Sequence, residues 1–416
     1  MTKEKKLYPR EKYLSQIRPF YSDTEMIKVV TGVRRSGKSS LMVMIQDELL
    51  ANGVKKENIL TLNLDKRPYM KIRKVEELES IIDKAFCCVS GLKYLFIDEI
   101  QNVKEFESVI NAYREEGDYS IFITGSNSYL LSGDLITKLT GRYIEVAMTT
   151  LTFDEYIRMK DFFKKDRSSN LFEELSSYIL EGGFPYAVML DGMNQKRLYV
   201  QSVVDEIIEK DVKGNKKIRK KHLFDLIFQF VINNFGCTIS VEGIVKHLES
   251  LLHEKIRKET VYRYIEQLES LKIVSKCTRF DLKSKRSLKG GEKYYLSDLS
   301  FYFLRNTDNR IPYGPVLENI VYQYARSLGY KVSIGKIGNL EVDFIMRSPL
   351  LDYSYVQVAQ YILTDNPKTE EREYRSLEII KDNYPKYLLT LDSLEQKRNG
   401  IKHRNLAEFI VEQESF

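Results

Sequence analysis

The sequence predicts an α/β protein whose first part is a parallel sheet covered by helices on both faces. Two observations carry this. Short apolar runs at 27–31, 58–65, 93–97 and 120–124 alternate with segments whose apolar residues recur every three or four positions, the pattern of strand–helix–strand units in a parallel sheet. The stretch Gly32-Val33-Arg34-Arg35-Ser36-Gly37-Lys38-Ser39 lies between the first run and a helical pattern over 40–50. It fits Gly-x-x-x-x-Gly-Lys-Ser/Thr at every fixed position, which is the phosphate-cradling P-loop.

Each element follows in order. Residues 8–20 read as a helix packed on the sheet, with Arg10 and Tyr13 either near a nucleotide base or structural. The first strand runs into the loop, whose glycines let consecutive N–H groups turn inward, and the next helix adds its positive end. Lys38 is expected to reach the β- and γ-phosphates and the Ser39 hydroxyl to hold Mg²⁺. The binding set is Gly32, Val33, Arg34, Arg35, Ser36, Gly37, Lys38, Ser39, Ser40 and Asp98, with ATP and Mg²⁺ as ligands and Ser39 and Asp98 on the metal. The plain alternative is a chance match in a strand–turn–helix unit.

A second strand (58–65), a helix (75–89) and a third strand lead to Asp98-Glu99. Asp98 is expected in the Mg²⁺ shell, and Glu99 polarises the attacking water. The run 120–124 then enters Gly125-Ser126-Asn127-Ser128, where Ser126 or Asn127 is expected to sense the γ-phosphate and Asn127 is counted with the catalytic residues. A helix cap or plain turn is the other reading there. Ligand is expected at the strand C-termini, where Lys38, Asp98 and Ser126 all fall. A short helix ending at Gly141 precedes a strand over 143–148.

The stretches Thr31–Ser40, Asp98-Glu99-Ile100-Gln101, Thr124-Gly125-Ser126-Asn127-Ser128 and Thr140-Gly141-Arg142 resemble the AAA-type ATPases of bacteria and archaea, in which a C-terminal domain of unknown function follows the ATPase. Glu181-Gly182-Gly183-Phe184-Pro185 and Glu341-Val342-Asp343-Phe344 match the same family, so the resemblance spans nearly the whole chain. It implies an ATPase with an AAA-type core. It also implies that Arg142 stands at the arginine-finger position, which acts across a subunit interface and so points to a homo-oligomer. A surface guanidinium or a structural ion pair is the alternative for Arg142.

Four modules are expected: the AAA-type P-loop core over 1–152, a helical lid over 153–220, a winged helix-turn-helix over 221–310 and a restriction-endonuclease-like domain over 311–416. Gly182-Gly183 with Pro185 would form a loop of the lid facing the ATPase core. In the third module, helices at 222–235, 240–252 and 260–271 precede strands at 273–280 and 293–296. The third helix presents Arg257, Lys258, Thr260, Tyr262 and Arg263, and the tip at 281–291 carries Lys283, Lys285, Arg286 and Lys289. DNA or a protein partner suits that surface.

The last module resembles the restriction-endonuclease fold through Glu318 on a helix, Asp343 on a strand and a following strand through Gln357 and Ala359. Working members of that fold have a carboxylate where Gln357 stands and a lysine where Ala359 stands, so nuclease activity is not expected. Glu318 and Asp343 could still hold a metal weakly, and Glu341 is expected on the other face. A helix over 369–380 and a final strand over 387–391 complete the module.

Composition bounds the rest. Among 416 residues, 43% are hydrophobic and 30% charged, and the net charge of +6 allows a nucleic-acid partner without requiring one. No apolar segment follows the charged start and none is long enough to span a membrane, so a cytoplasmic protein is expected. Cys87, Cys88, Cys237 and Cys277 read as reduced thiols, mostly buried, and His222, His247, His253 and His403 are scattered, so no metal is assigned to them. Two functions stand. One is an ATPase that couples hydrolysis to conformational change in a DNA- or protein-binding C-terminal half. The other is a nucleotide-gated switch with negligible hydrolysis.

Overall fold

A computed structural model describes residues 6–125, 139, 141–208, 218, 220–306, 310–363 and 367–416. These form two compact units, one ending at Thr149 and one running from Thr150 to Phe416. Positions 126–138 and 140 lie outside the described residues, and with them Ser126, Asn127, Ser128, Thr140 and the body of the short helix expected before Gly141.

In the first unit, strands β1 (Ile27–Gly32), β2 (Ile59–Asn63), β3 (Lys93–Asp98), β4 (Tyr119–Thr124) and β5 (Tyr143–Met148) form one sheet in the order β2-β3-β4-β1-β5. Every neighbouring pair is parallel. The strands are nearly continuous apolar runs because both faces are covered. Val29, Leu95, Ile97, Ile121 and Ile123 point to one face. There they meet helices α3 (Val75–Phe86) and α4 (Phe106–Glu115) through Leu78, Ile82, Phe106 and Ile110. Val30, Phe96 and Phe122 point to the other. There they meet α1 (Glu11–Ile17) and α2 (Lys38–Ala51) through Leu14, Ile17, Leu41 and Ile45. Period-two alternation in the strands thus builds two cores from one sheet. Phe96 and Phe122 stack at 4.5 Å in the second, and each such burial contributes about 1.5–3 kcal/mol.

The second unit opens with α5 (Phe153–Phe162), α6 (Leu171–Glu181), α7 (Pro185–Val188) and α8 (Met193–Glu206). Thr152 and Glu155 cap α5 reciprocally, and the Asn170 side-chain oxygen Oδ1 accepts from Phe172 N at 2.9 Å to start α6. Gly182 and Gly183 join α6 to α7. A Cβ on Gly182 would lie 2.1 Å from an Asp298 carboxylate oxygen, and one on Gly183 would lie 2.2 Å from the Leu151 carbonyl. Gly183 N also donates to Asp298 at 2.9 Å. The close neighbours that demand this Gly-Gly pair are therefore Leu151 and Asp298.

Helices α9 (Lys221–Asn233), α10 (Val241–Leu252) and α11 (Lys258–Ser270) lead to the hairpin of β7 (Val274–Asp281) and β8 (Arg286–Leu296), with the short β6 (Thr238–Ile239) paired to β8. Strand β8 already includes 286–291, so the turn is only 282–285, tighter than the eleven-residue tip expected. The short helix α12 (Ser300–Arg305) leads on to helix α13 (Tyr313–Ser327). Strands β9 (Lys331–Ile337), β10 (Leu340–Arg347) and β11 (Tyr353–Val358), helix α14 (Pro367–Glu378) and strand β12 (Lys386–Thr390) follow. Beyond the strand expected to be last come β13 (Lys397–Arg398), β14 (Ile401–Asn405) and helix α15 (Leu406–Val411).

Strands β9, β10 and β11 are antiparallel neighbours, whereas β11, β12 and β14 run parallel. Because β7 pairs in parallel with β9, the hairpin and the last strands share one nine-stranded sheet. Phe280 and Leu282 beside the hairpin turn pack on a core of Val342, Ile345, Tyr374 and Leu388. Cys87, Cys88 and Cys237 are exposed and only Cys277 is buried, which corrects the expectation of mostly buried thiols. None of the described helices is long and apolar enough to cross a membrane.

Candidate functional site

The sheet order decides how the first unit's polar side chains meet. Strand β4 lies between the P-loop strand β1 and the acidic strand β3, so Thr124 at the end of β4 reaches Asp98. Its hydroxyl donates to Asp98 Oδ1. Asp98 Oδ2 accepts from the Ser39 hydroxyl at 2.7 Å and from Asn63 Nδ2 at 2.6 Å. Three elements, α2, β2 and β4, thus converge on the carboxylate that β3 carries at the C-terminal ends of the strands.

Around it the loop is folded on itself. Lys38 is buried, and its Nζ donates to the carbonyls of Gly32 at 2.9 Å and Val33 at 3.2 Å. Gly32 has φ +146°, and a Cβ there would lie 2.3 Å from the Met148 carbonyl, so no other residue fits beneath the end of β5. The Ser36 hydroxyl is buried and has no hydrogen-bond partner among the described residues. A phosphate would satisfy that orphaned donor and offer Lys38 an anionic partner. Ser39 and Asp98 supply the hard oxygen donors that Mg²⁺ prefers.

Glu99 follows Asp98 in a left-handed conformation with φ 61°. Its N–H donates to Thr124 Oγ1 at 3.2 Å, and its carboxylate accepts from Gln101 Nε2. Arg10, which is almost fully buried, donates through Nη1 to the carbonyls of Ser36 at 3.1 Å and Thr149 at 2.8 Å. Tyr13 accepts from Thr149 N at 3.1 Å and packs against the Arg10 guanidinium. Of the two roles open to Arg10 and Tyr13, these contacts are structural. Arg34 lies 4.0 Å from Asp65.

Residues 24–157 match the profile of an AAA domain, and residues 172–308 match that of a domain of unknown function, DUF8612. An uncharacterized protein of Haemophilus influenzae is 34% identical over 412 residues, which are 98% of this chain and 100% of that protein. The chain belongs to the AAA-domain family. An uncharacterized protein of Methanocaldococcus jannaschii is 29% identical over 366 residues, 86% of this chain and 79% of its own length. Among solved structures, the Walker-type ATPase of Pyrococcus abyssi aligns with a TM-score of 0.49 at 16% identity, over 72% of this chain and 96% of that one.

In this AAA domain, Arg142 stands apart from the P-loop. Its carbonyl accepts from Ile27 N at 2.9 Å, beside the start of β1, whereas the loop leaves β1 at its end. Five residue steps at about 3.3 Å each put the two roughly 16 Å apart along the strand. The half-exposed Arg142 guanidinium meets Glu115 at 3.1 Å. It is not gathered with Lys38, Asp98 and Glu99.

A second polar cluster lies in the second unit. Glu318 on α13 accepts from Lys293 Nζ at 3.0 Å and from the Tyr295 hydroxyl at 2.7 Å. Lys293 also meets Glu341 at 3.2 Å. Burial works against the Lys293 charge, but Glu318, Asp343 and Glu341 outweigh it and hold the lysine protonated. Burial, with Glu318 nearby, pushes the Asp343 carboxyl well above the usual carboxylate range. Glu341, expected on the other face, reaches the same lysine as Glu318, because residues two apart on a strand share a face. Gln357 is tied down on both ends of its amide. Nε2 donates to Glu373 at 3.0 Å, while Oε1 accepts from Asp343 N and Ser376.

Sequence reasoning picked out Lys38, Ser39, Asp98 and Glu99 but passed over Asn63, Thr124, Gln101 and Lys293. Asn63 and Thr124 carry one legible signal, a polar residue at the C-terminal end of an apolar strand. Lys293 carries none, since it reads as one basic residue of a hairpin.

Proposed function

We propose that this AAA-domain chain binds ATP with Mg²⁺ at Gly32–Ser40 and hydrolyses it. The observation that carries this reading is the convergence of Ser39, Asn63 and Thr124 on Asp98, with Glu99 next in sequence. Lys38 turns from its own loop carbonyls to the β- and γ-phosphates, and the Ser36 hydroxyl gains an acceptor. Ser39 and Asp98 would hold Mg²⁺, which when bound would neutralise charge on the phosphates. Glu99 orients the attacking water and takes its proton once it has left Gln101. That Gln101 contact also favours the second reading, a switch that binds ATP and turns it over negligibly.

For the second unit we infer binding rather than cutting. Helices α9, α10 and α11 with the β7–β8 hairpin suit a winged helix. Arg257 just before α11 and Lys258, Tyr262 and Arg263 on it are exposed, as are Lys283, Lys285 and Arg286 at the turn, a surface suited to a phosphate backbone. Helix α13, the antiparallel β9, β10 and β11, and the crossover through α14 to β12 suit a restriction-endonuclease-like core. Gln357 and Ala359 leave that core without the second acid and the lysine of cleavage.

ATP turnover with and without duplex DNA tests both parts. Lys38→Ala is expected to abolish tight ATP binding. Glu99→Gln is expected to keep binding and to lower turnover by about a hundredfold or more, since general-base catalysis contributes about 10²–10⁴. Parental turnover in Glu99→Gln would remove Glu99 from its role. Tight binding with negligible turnover in the parent would favour the switch.

A further inference from the structure

Lys293 enters the second unit's acidic cluster from an unexpected direction. It belongs to β8, the hairpin strand, whereas Glu318 lies on α13 and Glu341 and Asp343 on β10. Its side chain is 8% exposed, and its Nζ lies 3.0 Å from Glu318 and 3.2 Å from Glu341. Asp343 lies within electrostatic reach of both Lys293 and Glu318.

Donors already occupy part of each carboxylate. Glu318 Oε2 accepts from both Lys293 and Tyr295. Asp343 Oδ2 accepts from Val358 N at 2.8 Å. Arg279 approaches Glu341 at 3.8 Å. Among the described residues, no three Asp, Glu, His or Cys side chains converge as ligands for a metal ion.

We propose that the Lys293 ammonium is a tethered cation that fills the space between Glu318 and Glu341, so that these two and Asp343 do not come together as ligands and the parent chain takes no metal there. This rests on the restriction-endonuclease-like reading of the core given above. A carboxylate cluster emptied of its metal cannot stay charged and unpaired in the interior. Here the correction comes from outside the motif. Ala359, which follows β11, carries no charge, and β8 supplies a lysine to the cluster instead. Lys293 bonded to two carboxylates and sealed from solvent has no free face for a phosphodiester. It neutralises rather than catalyses.

Binding of Mn²⁺ alone, read by electron paramagnetic resonance on the full-length nucleotide-free chain, tests this. Asp98→Asn is included throughout to remove the P-loop's own metal ligand. With Lys293 present, no Mn²⁺ binding that depends on Asp343 is expected. Lys293→Met should create a site at least about a hundredfold tighter, because a unit charge a few ångström away at an effective dielectric of about 20 opposes a divalent ion by well over that factor. Adding Asp343→Asn should abolish it.

A folded Lys293→Met chain without new Mn²⁺ binding overturns the proposal. So does Mn²⁺ binding in the Lys293 chain that is lost on Asp343→Asn. That second comparison needs no Lys293 variant and decides the matter even where Lys293→Met fails to fold. Duplex DNA cleavage measured on the same samples separates the two readings. Mn²⁺ binding without cleavage removes only the tethered cation, whereas cleavage lost on Asp343→Asn removes the non-cutting core as well.

Discussion

Arg10 ties the P-loop to the end of β5 through two buried carbonyls, those of Ser36 and Thr149. Removing its guanidinium leaves the Ser36 carbonyl without this buried donor. An unsatisfied buried acceptor costs about 1–3 kcal/mol, and here the cost falls on the loop that must cradle the phosphates. Arg10→Ala is therefore expected to raise KM for ATP several-fold while kcat changes less. Steady-state kinetics read the split, and a variant with unchanged KM would make Arg10 a support for the fold alone. The contrast with Lys38 shows which residues a sequence can reveal. Lys38, Ser39, Asp98 and Glu99 stand in short motifs whose chemistry depends on their immediate neighbours. Arg10, Asn63 and Thr124 matter because strand ends meet across the sheet, and no local pattern records that meeting. Gln101 is intermediate, since it lies within the quoted motif yet acquires its role only by bonding Glu99.

Among the elements, β1 carries a group that its hydropathy pattern conceals. Lys28 sits inside the strand, fully buried, with Nζ donating to the Asp23 carbonyl at 2.6 Å and the Ser120 hydroxyl at 2.8 Å and lying over the Phe122 ring. Burial lowers its pKa from 10.5 to about 7, against a smaller opposing pull from Asp23. Between those two pH values the unfolded chain binds the proton and the folded chain does not. Stability therefore rises with pH across that window, by at most about 1.4 kcal/mol per pH unit. Below about pH 7 both states are protonated and this contribution is flat. Lys28→Met is expected to gain most over the parent at or below pH 7, with the difference shrinking toward pH 10. Urea midpoints of the two chains at pH 6.5 and 9 measure it, and a difference that does not change with pH would refute the assignment. The apolar strands β1, β3 and β4 were legible because burial on both faces makes them nearly continuous. Strands β9 and β14 were not. Lys331, Ser333 and Lys336 break the first, and in β14 only Ile401 among the strand residues is apolar. Its core-facing partner is His403, whose Nε2 pairs with the Thr390 hydroxyl at 2.7 Å, a burial that a hydropathy pattern does not show.

Over the whole molecule, strand order is what the sequence withholds. Alternating elements imply a parallel sheet, but only the observed order inserts β4 between β1 and β3 and places Thr124 against Asp98. Likewise, the parallel pairing of β7 with β9 joins the hairpin to the last strands, which a reading module by module treats as separate. The same order bears on Arg142. It lies at the start of β5, roughly 16 Å along the strand direction from the P-loop end of β1, and so is badly placed to serve its own site. We therefore expect it to act on the site of a second copy of the chain, where a finger that stabilises charge on the transferring phosphoryl is worth about a thousandfold or more in rate. Turnover per chain should then rise with protein concentration as copies associate, and Arg142→Ala should lose most of it. Lys38→Ala keeps the finger but cannot bind ATP, whereas Arg142→Ala binds ATP but lacks the finger. Mixing the two inactive chains should restore part of the activity, because each supplies what the other has lost. A rate independent of concentration from a chain that light scattering shows to be monomeric would leave Arg142 with only its Glu115 ion pair.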